Sequence, residues 1–177
     1  TDAEVLDGIA DTDGRSGEAT VRKNKSGIVV KGLHDLAVRF SRCCNPVPGD
    51  EIVGFVTRGR GVSIHRTDCI NVINLPEDER GRLIDAEWQV AENSTSTEQY
   101  STEIQIFANN RIGLFADISK VFTEKQIDIT SMNVRTSKQG RATIIMTFDI
   151  HGTEELNRIT DKIRQIDGVL DIQRTTG

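Results

Sequence analysis

From Ala142 to Ile150 apolar residues fall on every second position: Ala142, Ile144, Met146, Phe148 and Ile150. That is the period of a strand with one buried face. The same period, shorter, appears at Ile104, Ile106 and Ala108, and β-rich sequence returns from Ile127 to Val134. Between these runs Leu114, Phe115, Ile118, Val121 and Phe122 recur at intervals of three and four, as do Leu156, Ile159, Ile163 and Ile166. Such spacing gathers apolar groups on one side of a helix. Gly168 closes the second helix before a last strand, Val169 to Arg174. The order over residues 100–177 is βαββαβ, which predicts a ferredoxin-like antiparallel sheet with both helices on one face.

The preceding segment, 28–91, is patterned in shorter pieces. Ile28 to Lys31 reads as a strand, and Leu36, Ala37 and Phe40 fit two turns of helix. Pro46 and Pro48 must end that helix. Glu51 to Thr57 and Gly61 to His65 predict a hairpin about Arg58-Gly59-Arg60. Asp68 is placed to cap a short helix through Cys69, Val72 and Ile73, and a strand follows from Leu83 to Val90, carrying Trp88. The expected fold class is α+β: a small α/β cysteine-rich domain followed by the ferredoxin-like unit. Residues 1–27, rich in Gly, Asp, Ser and Lys, have the composition of a flexible linker, and 92–99 form a second polar connector.

Composition narrows the class. At 36% hydrophobic the chain is too apolar to be wholly disordered, and no apolar run approaches the roughly 18 residues of a membrane-spanning helix. The first residues, Thr1-Asp2-Ala3-Glu4, carry no initiator Met and no secretory pattern. They suggest a piece of a longer cytoplasmic protein. Three cysteines, two of them adjacent, make a poor disulfide framework and favour a reducing compartment. The net charge of −5 conceals a basic block, since residues 28–75 carry six Lys and Arg against four Asp and Glu. An anionic partner therefore has to be argued for that block alone.

Cys43, Cys44, His65 and Cys69 supply the thiol and imidazole donors that a closed zinc site uses. Adjacent cysteines diverge in extended chain, so a second reading stays open, in which the same four residues fix a metal-free core. His34-Asp35 resembles the dipeptide of metal-dependent phosphohydrolases, but only His65 and His151 remain as further histidines, and neither has a suitable setting. Arg58, Arg60 and Arg66, with Lys31, Arg39 and Arg42 near in sequence, are candidate RNA contacts, because guanidinium forks pair with phosphates. Base stacking by the ferredoxin-like unit is disfavoured: the strand Gly140 to Phe148 offers one aromatic, on the inward alternation.

The run from Arg42-Cys43-Cys44-Asn45-Pro46-Val47-Pro48-Gly49-Asp50 through His65-Arg66-Thr67-Asp68-Cys69 resembles the conserved-cysteine module of the long RelA/SpoT homologues, enzymes of the alarmone (p)ppGpp. The βαββαβ unit, with Asn109-Asn110-Arg111-Ile112-Gly113-Leu114 after its first strand, resembles the ACT domain that ends the same proteins. The resemblance implies a C-terminal regulatory fragment that contains no catalytic residue. In the parent it implies a GTP pyrophosphokinase, either bifunctional with (p)ppGpp 3′-pyrophosphohydrolase activity or synthetase-only, whose catalytic domains lie upstream. It further implies docking on ribosomal RNA at a ribosome that carries uncharged tRNA. Asn110, Ile112, Gly113 and Leu114 would then hold a small amino acid, a branched-chain one by the family's expectation, between two ACT units of a homodimer. The rival from another class is a free-standing amino-acid sensor that controls a metabolic enzyme. It would bind amino acid without affinity for RNA.

Overall fold

The computed structural model describes residues 28–30, 37–59, 61–89 and 98–176. The linker 1–27, the dipeptide His34-Asp35, Lys31, Leu36, Arg60 and most of the connector lie outside these residues.

Two sheets organise the chain. The first has five strands in the order β1-β5-β3-β4-β2, comprising β1 (Ile28–Val30), β2 (Val38–Phe40), β3 (Ile52–Thr57), β4 (Gly61–Arg66) and β5 (Leu83–Trp88). The hairpin β3–β4 is its centre, in register from Ile52↔Arg66 to Thr57↔Gly61. A short helix, α1 (Ile70–Ile73), follows β4. Strand alternation divides β4 between the two faces. Val62 and Ile64 enter a core with Ile28, Val30 and Ala86, while His65 pairs with Val53, which packs on a small cluster of Cys44, Cys69 and Val72.

Two expectations fail here. The helix drawn through Leu36, Ala37 and Phe40 is, over its described part, the strand β2, parallel to β4 with Val38↔Val62 and Phe40↔Ile64. Val38 and Phe40 lie two apart, so an extended chain turns both toward the first core, and a two-turn helix has too little intrinsic stability to compete with that pairing. Asp68 does not cap α1. The N-cap is Cys69, without a side-chain cap bond, and the Asp68 carboxylate accepts a hydrogen bond from the Arg66 guanidinium instead.

The second sheet is antiparallel, in the order β7-β8-β6-β9: β6 (Tyr100–Asn109), β7 (Ile129–Thr136), β8 (Arg141–Ile150) and β9 (Val169–Arg174). Helices α2 (Leu114–Glu124) and α3 (Thr153–Arg164) complete βαββαβ. The alternating residues of β6 and β8 share one core with Leu114, Ile118 and Phe122 of α2 and Leu156, Ile159 and Ile163 of α3, so both helices cover the same face. Phe148, the one aromatic of β8, is fully buried against Phe122, ring centroids 4.9 Å apart. No helix of the described residues is long and apolar enough to cross a membrane.

One member of that second core comes from the other unit. Val47, in the loop between β2 and β3, is fully buried within it. Around Val47 the loop is fastened to α3 and β9. The Thr153 N–H donates to the Pro48 carbonyl at 2.8 Å, and Arg174 meets the Asp50 carboxylate at 2.6 Å. Gly49 has φ +101°, and a Cβ there would overlap the Thr153 hydroxyl, so the close approach requires glycine. A second seam is aromatic: Tyr100 of β6 stands edge-on to Phe40 and Trp88, which stack on each other.

Candidate metal centre and its surroundings

Cys43 and Cys44 lie in a tight turn that closes through the Asn45 N–H to the Ser41 carbonyl at 3.1 Å. Asn45 then takes φ +46°, a left-handed conformation that asparagine tolerates better than most side chains. This turn removes the objection that adjacent cysteines diverge, because their sulfurs stand 4.0 Å apart. Cys43 Sγ also lies 3.4 Å from Cys69 Sγ and 3.4 Å from His65 Nδ1, and Cys44 Sγ lies 3.9 Å from the same nitrogen. All four candidate ligand atoms fall within 4.8 Å of one another. The cluster could hold a metal ion.

The surroundings act on the four donors in different directions. Ser63 Oγ is 2.7 Å from His65 Nε2; when the Nε2–H donates to it, the Nδ1 lone pair faces the sulfurs. Burial holds the His65 pKa below its ordinary value, which favours the neutral ring a metal requires. Burial pushes the Cys44 thiol well above its usual range, although an N–H from Arg66 opposes it. Burial also raises Cys69, helped by its hydrogen bond with Cys43. At Cys43 burial acts upward too, but hydrogen bonds from Ser41, Asn71, Cys69 and Cys44 together outweigh it, so its pKa falls below the ordinary thiol value. Ser63 and Ser41 escaped the sequence reading. Ser63 was legible in principle, since it precedes His65 by two positions on a strand and so shares its face.

The arginines separate. Arg58 is exposed at the β3–β4 turn, and Arg39 and Arg42 are exposed as well. Arg66 is not the surface contact expected of it. Its side chain is 7% exposed, and its guanidinium donates to the Cys44 and Thr175 carbonyls and to Asp68. A group so enclosed and so fully engaged cannot meet a phosphate. His151 is a surface residue paired with Glu155 at 2.8 Å.

In the loop after β6 the Arg111 guanidinium donates to the Asp167 and Ile112 carbonyls and to Asp117. Asn110 is exposed, with its N–H donating to the Gly140 carbonyl, and Ile112 is fully exposed. Gly113, at φ +82°, is the N-cap of α2. Leu114 points the other way, its side chain fully buried in the core and its N–H donating to the Arg111 carbonyl. Only backbone and the Asn110 side chain are therefore presented at this loop by the four expected residues, apart from the bare Ile112 chain.

A cysteine-rich α+β unit with a three-thiol, one-imidazole cluster is thus fastened to a ferredoxin-like unit, a two-domain α+β class. The family profile of the RelA/SpoT RIS domain matches residues 28–89, and that of the ACT domain matches 96–174. The GTP pyrophosphokinase of Streptomyces coelicolor is 39% identical over 150 residues, 85% of this chain and 17% of the relative. That of Escherichia coli strain K12 is 36% identical over 156 residues, 88% of this chain and 20% of the relative. The chain thus spans about a fifth of the length of these curated relatives. The ACT domain from the GTP pyrophosphokinase of Chlorobium tepidum, a solved structure, covers 44% of this chain and 99% of its own at 22% identity and a TM-score of 0.40, a likeness too slight to add to the sequence match. The chain carries a RelA/SpoT RIS domain followed by an ACT domain.

Proposed function

We propose that this chain is the C-terminal regulatory region of a cytoplasmic, bifunctional GTP pyrophosphokinase and (p)ppGpp 3′-pyrophosphohydrolase. It docks on the ribosome and relays amino-acid starvation to catalytic domains of the same polypeptide. The observation that carries this reading is the RIS–ACT tandem, matched in relatives named GTP pyrophosphokinase. The division of labour follows residues 28–91 for docking and 100–177 for the ACT domain. No residue here is assigned to bond making.

The docking unit is built on zinc held by Cys43, Cys44, His65 and Cys69. A tetrahedral zinc with bonds of about 2.3 Å to sulfur and about 2.0 Å to nitrogen needs ligand atoms about 3.5 to 3.8 Å apart. Four of the six donor pairs, at 3.4, 3.4, 3.9 and 4.0 Å, lie near that spacing, and all six lie within 4.8 Å. With three thiols and one imidazole the site is closed and structural in kind, with no open position for a substrate.

The RNA contact is the β3–β4 turn with Arg58 and Arg60, supported by the exposure of Arg58, Arg39 and Arg42. The ACT unit takes a branched-chain amino acid at Asn110, Ile112 and Gly113 and pairs with a second copy. The exposed Met132 and Val134 on the edge strand β7 support that pairing.

The test is ribosome co-sedimentation at physiological salt. Arg58→Glu with Arg60→Glu is expected to weaken association at least tenfold while leaving circular dichroism unchanged. Undiminished co-sedimentation would remove this turn from the interface.

A further inference from the structure

The three segments that carry the candidate ligands share a destination. Asn45 follows Cys44, and its carbonyl accepts a hydrogen bond from Arg174 at 3.1 Å. Arg66 follows His65 and donates to the Thr175 carbonyl at 3.3 Å. Ile70 follows Cys69, and its N–H donates to the Thr176 carbonyl at 2.7 Å. The residue after each of the three ligand segments is thus bonded to one of three consecutive residues, Arg174 at the end of β9, the last ACT strand, and Thr175 and Thr176 just beyond it. The Cys43-Cys44 segment continues into the dock itself. Val47 fills the ACT core, Pro48 caps the first residue of α3, and Asp50 holds Arg174 through both carboxylate oxygens.

We propose that the Cys43, Cys44, His65 and Cys69 cluster is an allosteric site for the ACT domain. A divalent metal bound there locks the end of β9 and the start of α3 onto the RIS domain, and loss of the metal releases them. The inference rests on the reading of the cluster as a metal site and goes beyond it, because a structural metal need stabilise only its own domain.

The physical argument concerns which freedoms the metal removes. Without a metal, three thiols and an imidazole within 4.8 Å of one another make only weak hydrogen bonds, and the Ser41–Asn45 turn, β4 and the start of α1 are joined by few backbone bonds, the Ser41 N–H to the Ile64 carbonyl at 2.9 Å and the Cys69 N–H to the Arg66 carbonyl at 3.1 Å among them. Metal–ligand bonds fix those three segments together. Their next residues then present Asn45 O, the Arg66 guanidinium and the Ile70 N–H in the spacing that the β9 end requires. By linkage the reverse must hold: a docked ACT domain holds the three segments in place for the metal and raises its affinity. The protein contains a single tryptophan, Trp88, whose indole N–H donates to the Asp50 carbonyl at 3.0 Å, so its emission reports on the dock rather than on the ligands.

The experiment titrates zinc into the reduced, metal-free chain and reads the affinity by chelator competition, Trp88 emission, and amide exchange at Thr153 and Ile70. Zinc is expected to slow Thr153 exchange at least tenfold, although Thr153 lies in the ACT domain. Arg174→Gln, which removes no ligand, is expected to weaken zinc binding roughly tenfold, within the range usual for coupled sites. Lys120→Gln, on the exposed side of α2, is expected to leave it unchanged. Zinc binding with unaltered Thr153 exchange, or equal affinity in a folded Arg174→Gln chain, overturns the coupling while leaving the metal site standing. A wild-type chain that takes up no zinc overturns the proposal at its premise, and is a different result. If Arg174→Gln fails to fold, the Thr153 exchange of the wild-type chain with and without zinc still decides.

Discussion

Asp50 and Arg174, 124 positions apart in sequence, form a two-pronged ion pair with nitrogen–oxygen distances of 2.6 and 2.9 Å. Both side chains are largely enclosed, at 10% and 17% exposure. Asp50 Oδ2 also accepts the Val47 N–H at 2.8 Å, so one carboxylate orders the loop that enters the ACT core and binds the strand on the far side. Arg174 keeps one buried nitrogen, Nε, without a hydrogen bond.

Asp50→Ala should destabilise the chain by about 3 kcal/mol, because it leaves the Arg174 charge enclosed without a counter-charge. Urea unfolding followed by Trp88 emission measures this. Adding Arg174→Leu should recover part of the loss, since both charges then leave together. A double variant no more stable than Asp50→Ala alone would mean that the pair is not the origin of the cost.

Val47→Ala should cost about 2 kcal/mol, from two methyl groups lost at roughly 0.8 kcal/mol each plus a residual cavity. Although Val47 belongs in sequence to the RIS domain, the loss should appear as faster amide exchange at the buried α3 residues Leu156 and Ile159, its neighbours in one core. Faster exchange confined to β3 and β4 would contradict the placement of Val47.

These two residues also mark where the sequence stops being legible. The alternation of β8 and the three–four spacing of α2 and α3 are local patterns, and each corresponds to an element whose buried face is the one expected. The strand β2 was misread because apolar residues at 36, 37 and 40 fit a helix, whereas its extended form depends on pairing with β4, more than twenty positions on. Arg66 read as a surface charge because its guanidinium is engaged by the Cys44 and Thr175 carbonyls, 22 and 109 positions away. The four ligand types were visible as a set. Their convergence was not, because it depends on the left-handed backbone of Asn45. Val47, Asp50 and Arg174 follow no periodicity, since their partners are contributed by the other domain.

Ser63→Ala should weaken metal binding about tenfold while the hairpin stays folded, because the hydroxyl that orients the His65 ring is lost. Chelator competition with zinc gives the affinity, and the spectrum of the cobalt-substituted chain should keep the bands of a tetrahedral thiolate site. Equal affinity in wild type and variant would remove Ser63 from the site.

Tyr100 supplies the pH prediction. Its hydroxyl donates to Glu98 at 3.0 Å and its ring stands 5.5 Å from Phe40 and 5.6 Å from Trp88. Burial, then the hydrogen bond and negative charge of Glu98, push its pKa up to about 12 from an ordinary 10.0. The folded chain therefore keeps the phenolic proton where the unfolded chain has lost it. The stabilisation is complete below pH 10 and falls away as the pH rises through the interval to about 12. Tyr100 is the only tyrosine, so tyrosinate absorbance reads it without ambiguity. Its midpoint should lie well above that of the urea-unfolded chain. Glu98→Gln should lower the midpoint without returning it to 10.0, because burial is the larger cause. Tyr100→Phe should flatten the dependence of stability on pH across that interval. Coincident midpoints in the folded and unfolded chains would mean that the phenol is free in water, and that the aromatic seam between the RIS and ACT domains is not closed in solution.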